Sequence, residues 1–183
     1  MKIATGQIKT MPLSLAEVKS WLRLFDDDTS EDDTVNALVA SAVDVCESKL
    51  NYNVAKVSAT QNFADICDVL FVDCLFHSVQ SVTYRNELDQ IAVMSASDYR
   101  IEPLDSFGVN IVITNGSLLF SDVNRADKIV VNLRVGYEDG SVPNFIKTAC
   151  RLMIADWFDN RADGKKAYPS AVDNILFPHR RSN

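Results

Sequence analysis

The stretch that most limits what this chain can become runs from Val142 to Arg161: Pro143 opens it, and no further proline or glycine follows until Gly164. The proline ring sets φ near its helical value and lacks only an N–H that a first turn leaves unused, so Pro143 marks a helix start. The spacing predicts a helix over 143–161, about five turns long. At about 100° per residue, Ile146, Ala149, Cys150, Met153 and Trp157 form a central stripe, flanked by Phe145 and Leu152 on one side and Ile154 and Phe158 on the other. Lys147, Thr148, Arg151 and Asp159 are left for water. So wide an apolar arc calls for burial on two sides, between layers of its own domain or against another subunit.

The 183 residues hold one ordinary domain, or a small domain carrying an insertion. With 47% hydrophobic and 23% charged residues the composition is globular. Apolar runs such as Val69 to Val72 and Leu118 to Phe120 fall far short of the ~20 residues of a membrane span, and the N-terminus has no signal-like apolar core. The expectation is a soluble intracellular protein with no membrane partner. A net charge of −7 argues against a surface that grips nucleic acid by neutralising phosphates, though not against one that surrounds DNA without holding it. Cys46, Cys67, Cys74 and Cys150 show no C-x-x-C spacing and read as free thiols acting as small hydrophobes; a Cys67–Cys74 disulfide is disfavoured in a reducing compartment.

Taken in order, residues 1–13 have no clear period and read as an N-terminal arm. Ser14 and Glu17 then have the spacing of a capping box, and a helix to about Phe25 follows, with Leu15, Val18, Leu22 and Phe25 on one face, Trp21 beside it, and Lys19 and Arg23 pointing away. Asp26, Asp27, Asp28, Glu31, Asp32 and Asp33 form an acidic turn of the kind hard cations favour, but without the glycine and closing glutamate of an EF-hand loop. The simpler account makes 26–28 a turn, gives Thr29 or Ser30 the N-cap, and sets the acids in the first turn of the next helix. That helix, about 30–50, carries Val35, Leu38, Val39, Ala42, Val43, Cys46 and Leu50 on one face, with Ala37, Ser41, Asp44, Glu47 and Ser48 opposite. The two helices should pair as an antiparallel hairpin.

From Val54 to Tyr137 the texture changes to short β-rich runs: Val57–Phe63, Val69–Val72, Val79–Tyr84, Ile91–Met94, Tyr99–Ile101, Val109–Ile113, Ser117–Leu119 and Lys128–Val135. Asn115-Gly116 signals a hairpin. Over Lys128–Val135 the alternation is strict, with Ile129, Val131, Leu133 and Val135 on one side. The expected fold class is therefore α+β: a small helical bundle, made of an N-terminal helix hairpin (14–53) and a C-terminal part (138–177), into which an antiparallel β subdomain (54–137) is inserted. A short helix should start at Pro169 and end at Pro178, leaving 178–183 as a basic tail.

Chemistry is sparse. Only His77 and His179 could serve as bases, neither in a recognisable motif, and there is no G-x-S-x-G, P-loop, G-x-G-x-x-G or metal-ligand spacing. Asp65, Asp68 and Asp73 around Cys67 and Cys74 are the residues an alternative small hydrolase or ligand-binding site would use, though acidic loops between strands are ordinary solvated turns. Asp156 falls inside the apolar arc of the closing helix and needs a partner, for which Arg161 or a neighbouring chain's arginine is the candidate. No catalytic residue, metal or cofactor is assigned, and the chain does not read as an enzyme.

Leu13-Ser14-Leu15-Ala16-Glu17-Val18-Lys19-Ser20-Trp21-Leu22-Arg23, the acidic turn and a helix ending at Leu50-Asn51-Tyr52 resemble the opening of the tailed-phage head-tail connector family, the adaptors that dock on the portal. The closing block is similar too: Val142-Pro143, Ile146-Lys147, Ala149, Trp157-Phe158, Asn160-Arg161, Tyr168-Pro169, Ala171-Val172 and Phe177-Pro178-His179-Arg180. The likeness covers roughly 12–52 and 135–181, and the β-rich middle matches the longer members by architecture. It implies a ring of about a dozen copies when assembled, from a chain that can be monomeric in isolation, that sits beneath the portal, extends the DNA channel, which DNA passes through without sequence-specific binding, and receives the next neck or stopper protein. It further implies a place in the virion neck after assembly in the host cytoplasm. Under it, Phe177, Pro178, His179, Arg180 and Arg181 are the expected portal-docking residues, and Asp156, Trp157 and Arg161 the expected subunit-interface or ion-pair residues. The alternative is another neck or tail-completion protein.

Overall fold

The computed structural model describes residues 4–181 apart from 66, 105–106, 117, 124–125, 139 and 161–169. Its architecture is α+β: helices and two antiparallel sheets, divided into two compact units. One comprises Thr10–Lys56 and Tyr137–Asn183, the other Val57–Gly136 together with the N-terminal residues through Lys9.

The first unit is helical. Ser14 caps α1 (Leu15–Leu22): its hydroxyl accepts the Glu17 N–H at 3.2 Å, and the Glu17 carboxylate accepts the Ser14 N–H at 2.9 Å. The helix stops short of Phe25 because Arg23 turns left-handed (φ 59°), and the Leu24 N–H closes back on the Lys19 carbonyl at 2.9 Å. Phe25 thereby leaves the apolar stripe and stands 78% exposed. Helix α2 (Asp32–Leu50) buries Val35, Val39, Ala42, Val43, Cys46 and Leu50, while Leu38 is half-buried. It ends at a left-handed Asn51 whose N–H bonds the Glu47 carbonyl at 2.9 Å.

Helix α3 (Asn144–Asp159) follows Pro143, which is the cap residue itself, with extended ψ, and not the first helical residue. Ile146, Ala149, Cys150, Met153 and Ile154 are buried. Phe145, Leu152, Trp157 and Phe158 are only half-buried, so the apolar arc is fully covered along its middle and partly along its flanks. Helix α4 (Ser170–Leu176) seats Val172 and Leu176 in the core and tightens at Pro178 into a 3₁₀ turn, Phe177–His179. The expected start at Pro169 and the polar break at 162–166 lie outside the described residues.

The second unit is β. Strands β1 (Ala4–Thr10), β2 (Lys56–Phe63), β4 (Phe76–Arg85), β5 (Ile91–Val93) and β8 (Ile129–Val135) form one sheet in the order β1-β2-β8-β4-β5. Strands β3 (Val69–Val72), β6 (Tyr99–Pro103) and β7 (Val109–Ile113) form the other, in the order β3-β7-β6. Central in the larger sheet, β8 pairs Ala59 with Leu133 on one side and Val82 with Val131 on the other. Its alternation does what period two demands: Ile129, Val131, Leu133 and Val135 are wholly buried and share a core with Leu70, Val72, Val109 and Ile111 of the smaller sheet.

Three expectations change. The N-terminal segment read as an arm is the edge strand β1, covering the outer edge of β2. Strand β4 is longer than Val79–Tyr84 because register shifts at Phe76/Ser78 and Val79/Ser81 break the alternation that marks a strand in sequence. Among the described residues no strand follows Asn115-Gly116 before β8: the Leu118 N–H closes a turn on the Asn115 carbonyl at 3.4 Å, but the Thr114 and Asn115 N–H groups both bond the Asp98 carbonyl, and the Asn115 amide donates to the Asp98 carboxylate at 2.9 Å. The chain instead carries Phe120 onto Tyr84, ring centroids 5.2 Å apart, and the Ser121 N–H onto the Arg85 carbonyl.

Candidate functional site

The acidic turn folds around a cation of its own. Lys19, only 4% exposed, aims its ammonium at the Asp26 carbonyl (3.1 Å), the Asp28 carbonyl (2.6 Å) and Asp32 Oδ1 (2.9 Å). An ammonium has three protons, and each finds an acceptor. The helical wheel sets Lys19 towards solvent; the loop covers it by folding back over α1, a long-range event that no periodicity reports. Asp28 accepts the Ser30 N–H at 3.0 Å, and its bonds to Ser30 hold its carboxyl below the usual range. The cap expected at Thr29 or Ser30 is not used: Glu31 precedes α2 and makes no side-chain cap bond. Among the described residues no group of three or more His, Cys, Asp or Glu side chains is arranged to hold a metal ion.

Glu47 departs from expectation in the same way. Placed on the solvent face by its spacing, it is 4% exposed, and its Oε1 accepts the N–H groups of Val54 (2.9 Å) and Ala55 (3.0 Å), where the chain leaves the helical unit. The returning chain is tied at the same point, since the Tyr137 N–H donates to the Val54 carbonyl at 3.1 Å. Tyr52 meets Tyr137 edge-on at 6.4 Å, and burial together with Tyr137 pushes its hydroxyl pKa up. Lys56 pairs with Glu138 at 2.9 Å.

A cleft of about 530 Å³ in the helical unit is lined by Met11, Pro12, Ser14, Glu17, Tyr137 and Lys147 among others, with no histidine or cysteine in its wall. The Ser14 hydroxyl accepts the Glu17 N–H and donates to the Glu17 carboxylate at 3.1 Å, so both side chains are committed to the capping box. Hydrogen bonds from Ser14, then the charges of Lys147 and Arg151, each 3.6 Å from Glu17, depress the Glu17 pKa. In the β unit, Asp65, Asp68 and Cys67 are exposed, Cys74 is buried, and backbone bonds such as Ile113 N–H to the Asp68 carbonyl (2.8 Å) fix the loops to the strands.

The C-terminal segment is folded down and is not a loose tail. The His179 ring stacks on Phe145 at 3.8 Å and 15°, and the Arg181 N–H donates to the Leu50 carbonyl at the end of α2 (3.0 Å). Phe177, 74% exposed, and the exposed Pro178 and Arg180 are presented on this anchored turn. Asp156 is half-buried, with the Asn160 amide donating to its carbonyl (3.0 Å) and its Oδ1 (3.1 Å). Arg161, its expected partner, lies outside the described residues. Trp157 beside it is half-buried, not central to the core. A second aromatic surface, missed in the sequence, has Arg151 over the half-exposed Trp21 ring at 5.8 Å; the signal available was the i-to-i+4 spacing of Lys147 and Arg151 opposite Glu17.

The fold is shared with solved chains of gene transfer agent particles. One, from the neck of an empty particle computed with C6 symmetry, matches over 100% of this chain and 97% of its own length, with TM-score 0.71 and 16% identity. A chain from the virion of a native gene transfer agent particle matches with TM-score 0.70 and 17% identity, and one from the neck of a native particle computed with C12 symmetry with 0.66 and 15%, over the same shares of both chains. No family model and no curated protein sequence matches.

Proposed function

We infer that this chain is a structural neck protein of a tailed phage or phage-like particle, a head-tail connector that assembles as a ring beneath the portal. The observation that carries this reading is the end-to-end match in fold, over 100% of this chain and 97% of the other, to chains from symmetric particle necks. The order and spacing of the blocks at 12–52 and 135–181 point the same way independently. In this reading the copies meet through heterologous contacts, as a closed ring requires, DNA passes through the ring, and the next neck protein binds beneath it.

The anchored turn Phe177-Pro178-His179-Arg180-Arg181 is the portal-docking element. An exposed aromatic beside a cation, held by the His179 stack and the Arg181 N–H bond, is a pre-organised anchor with little entropy left to lose on binding. Asp156 and Trp157, half-buried on α3, belong to the contact with the neighbouring copy.

Co-purification with a portal protein from the same genome is the test, using Phe177→Asp with Arg180→Glu. Truncation of the whole segment is a poorer choice because it would remove bonds internal to the fold. Loss of portal binding with unchanged helical content is expected; undiminished binding would overturn the docking assignment. Electron microscopy of the complex should show a ring, and single bound copies would overturn the ring. A chain found in the particle neck without portal affinity would be a different neck or tail-completion protein.

A further inference from the structure

Cys46 on α2 and Cys150 on α3 hold their Sγ atoms 3.5 Å apart, both wholly buried and both free. The helical unit is built from two separate stretches of chain, Thr10–Lys56 and Tyr137–Asn183, with one of these cysteines in each. The other two thiols differ in kind: Cys67 is exposed and Cys74 is buried in the β unit.

The geometry points to Cys46 and Cys150 as an oxidative modification site, at which a peroxide closes a covalent staple between the two stretches of the helical unit. A lone buried cysteine is a small hydrophobe. Here each thiol is the other's contact, and bonding requires the sulfurs to approach from 3.5 Å to about 2.05 Å. With peroxide, one sulfur attacks a peroxide oxygen and the O–O bond breaks, leaving a sulfenic acid and one water. The second sulfur then attacks the sulfenic sulfur; the S–S bond forms, the S–O bond breaks, and the hydroxyl leaves with the second thiol's proton as another water. Two thiols lose two electrons, and one peroxide gains them.

The reduced state is protected while the helices stay closed. Contact with Cys150, then burial, pushes the Cys46 thiol far above its ordinary range, and thiolate is the attacking species. Oxidation therefore proceeds through opening of the α2–α3 contact and is slow beside reaction at exposed Cys67. The residues joined are 104 positions apart, so the staple closes a long loop and should restrict the unfolded chain strongly. None of this rests on the neck reading, and either can fail alone.

The test takes the purified full chain, treated with hydrogen peroxide and mapped by non-reducing peptide mass spectrometry. A Cys46–Cys150 linked peptide lighter by two hydrogens is expected, reversed by dithiothreitol and absent in Cys46→Ala. The stapled protein should melt roughly 5–10 °C above the reduced one. After protease cleavage within 57–136, its two helical stretches should stay joined in non-reducing denaturant. Exhaustive oxidation that marks only Cys67, a link that uses Cys67 or Cys74, or a staple that lowers the melting temperature would each overturn the proposal. Should Cys46→Ala not fold, the mapping of the wild-type chain decides alone.

Discussion

The two units treat polar groups in opposite ways. In the β unit the core shared by the two sheets is lined by apolar side chains, and among the described residues the buried polar one is the short Ser121; the Thr60 hydroxyl donates to Asn132 (2.9 Å) and the Asn132 amide to Ser81 (3.0 Å) across three strands, exposed to part-buried. In the helical unit two long charged side chains turn inward, Lys19 beneath the loop after α1 and Glu47 at the exit of α2, and each is bonded to backbone. The difference follows from what each element does with its main chain. A sheet satisfies its N–H and C=O groups in the ladder, whereas a helix leaves four unmatched at each end, and connections out of helices must find acceptors and donors elsewhere. One unit should therefore be most sensitive to lost volume and the other to lost hydrogen bonds.

Leu133→Ala presses hardest on the first half of that contrast. Leu133 is wholly buried and paired on both sides, so truncation should cost about 3–4 kcal/mol. Urea unfolding would measure the loss, and hydrogen exchange should locate it in β2, β4 and β8; a cost under about 1 kcal/mol would mean that the β core is loosely packed. Glu47→Ala presses on the second half. It strands the N–H groups of Val54 and Ala55, at roughly 1–3 kcal/mol for an unsatisfied buried group. Glu47→Gln, which keeps an acceptor oxygen, should recover most of it. Equal losses in the two variants would show that charge, not the acceptor, matters at this position.

The same contrast explains what could be read from the residues beforehand. Period two in β8 and the stripe of α2 are local signals, and burial follows them closely. The capping box at Ser14 is local too. A helical wheel sets Lys19 and Glu47 towards solvent because it knows nothing of a loop that returns over it. Asn115-Gly116 does turn the chain, but Asn115 is tied to Asp98, a partner 17 positions away that the dipeptide itself does not announce. Of the expected docking residues, the exposure of Phe177 fits an apolar-plus-basic tail, but the stacking of His179 on Phe145 joins residues 34 positions apart in sequence, and nothing in either short segment announces it.

Lys19→Met should have a smaller effect than Glu47→Ala. The thioether keeps the packing of the stem, and Asp32, 24% exposed, regains water when the ammonium goes. A loss of about 2 kcal/mol is expected, below the figure for breaking a fully buried pair. Protection of the 24–31 amides should fall with it. If those amides are unaffected, the loop is held by Asp28–Ser30 and its own turn, and the internal cation is incidental.

The smallest effect concerns Glu17, whose carboxyl is held below its ordinary value of 4.5 by the Ser14 N–H first, and also by the Ser14 hydroxyl, Lys147 and Arg151. A carboxyl with a depressed folded pKa binds its proton more readily in the unfolded chain. Its stabilising contribution is therefore complete above the unfolded value and disappears as pH falls through the folded one. Glu17 is 40% exposed, so screening keeps the contribution small, about 1 kcal/mol or less by comparison with other helix caps. Glu17→Gln should then melt slightly below the wild type at pH 7, with the gap closing as the pH drops below 4.5. A gap that stays constant down to acid pH would assign the effect to side-chain shape. The polar sensitivity of the helical unit would then be confined to its buried groups, Lys19 and Glu47, with no share in the exposed cap.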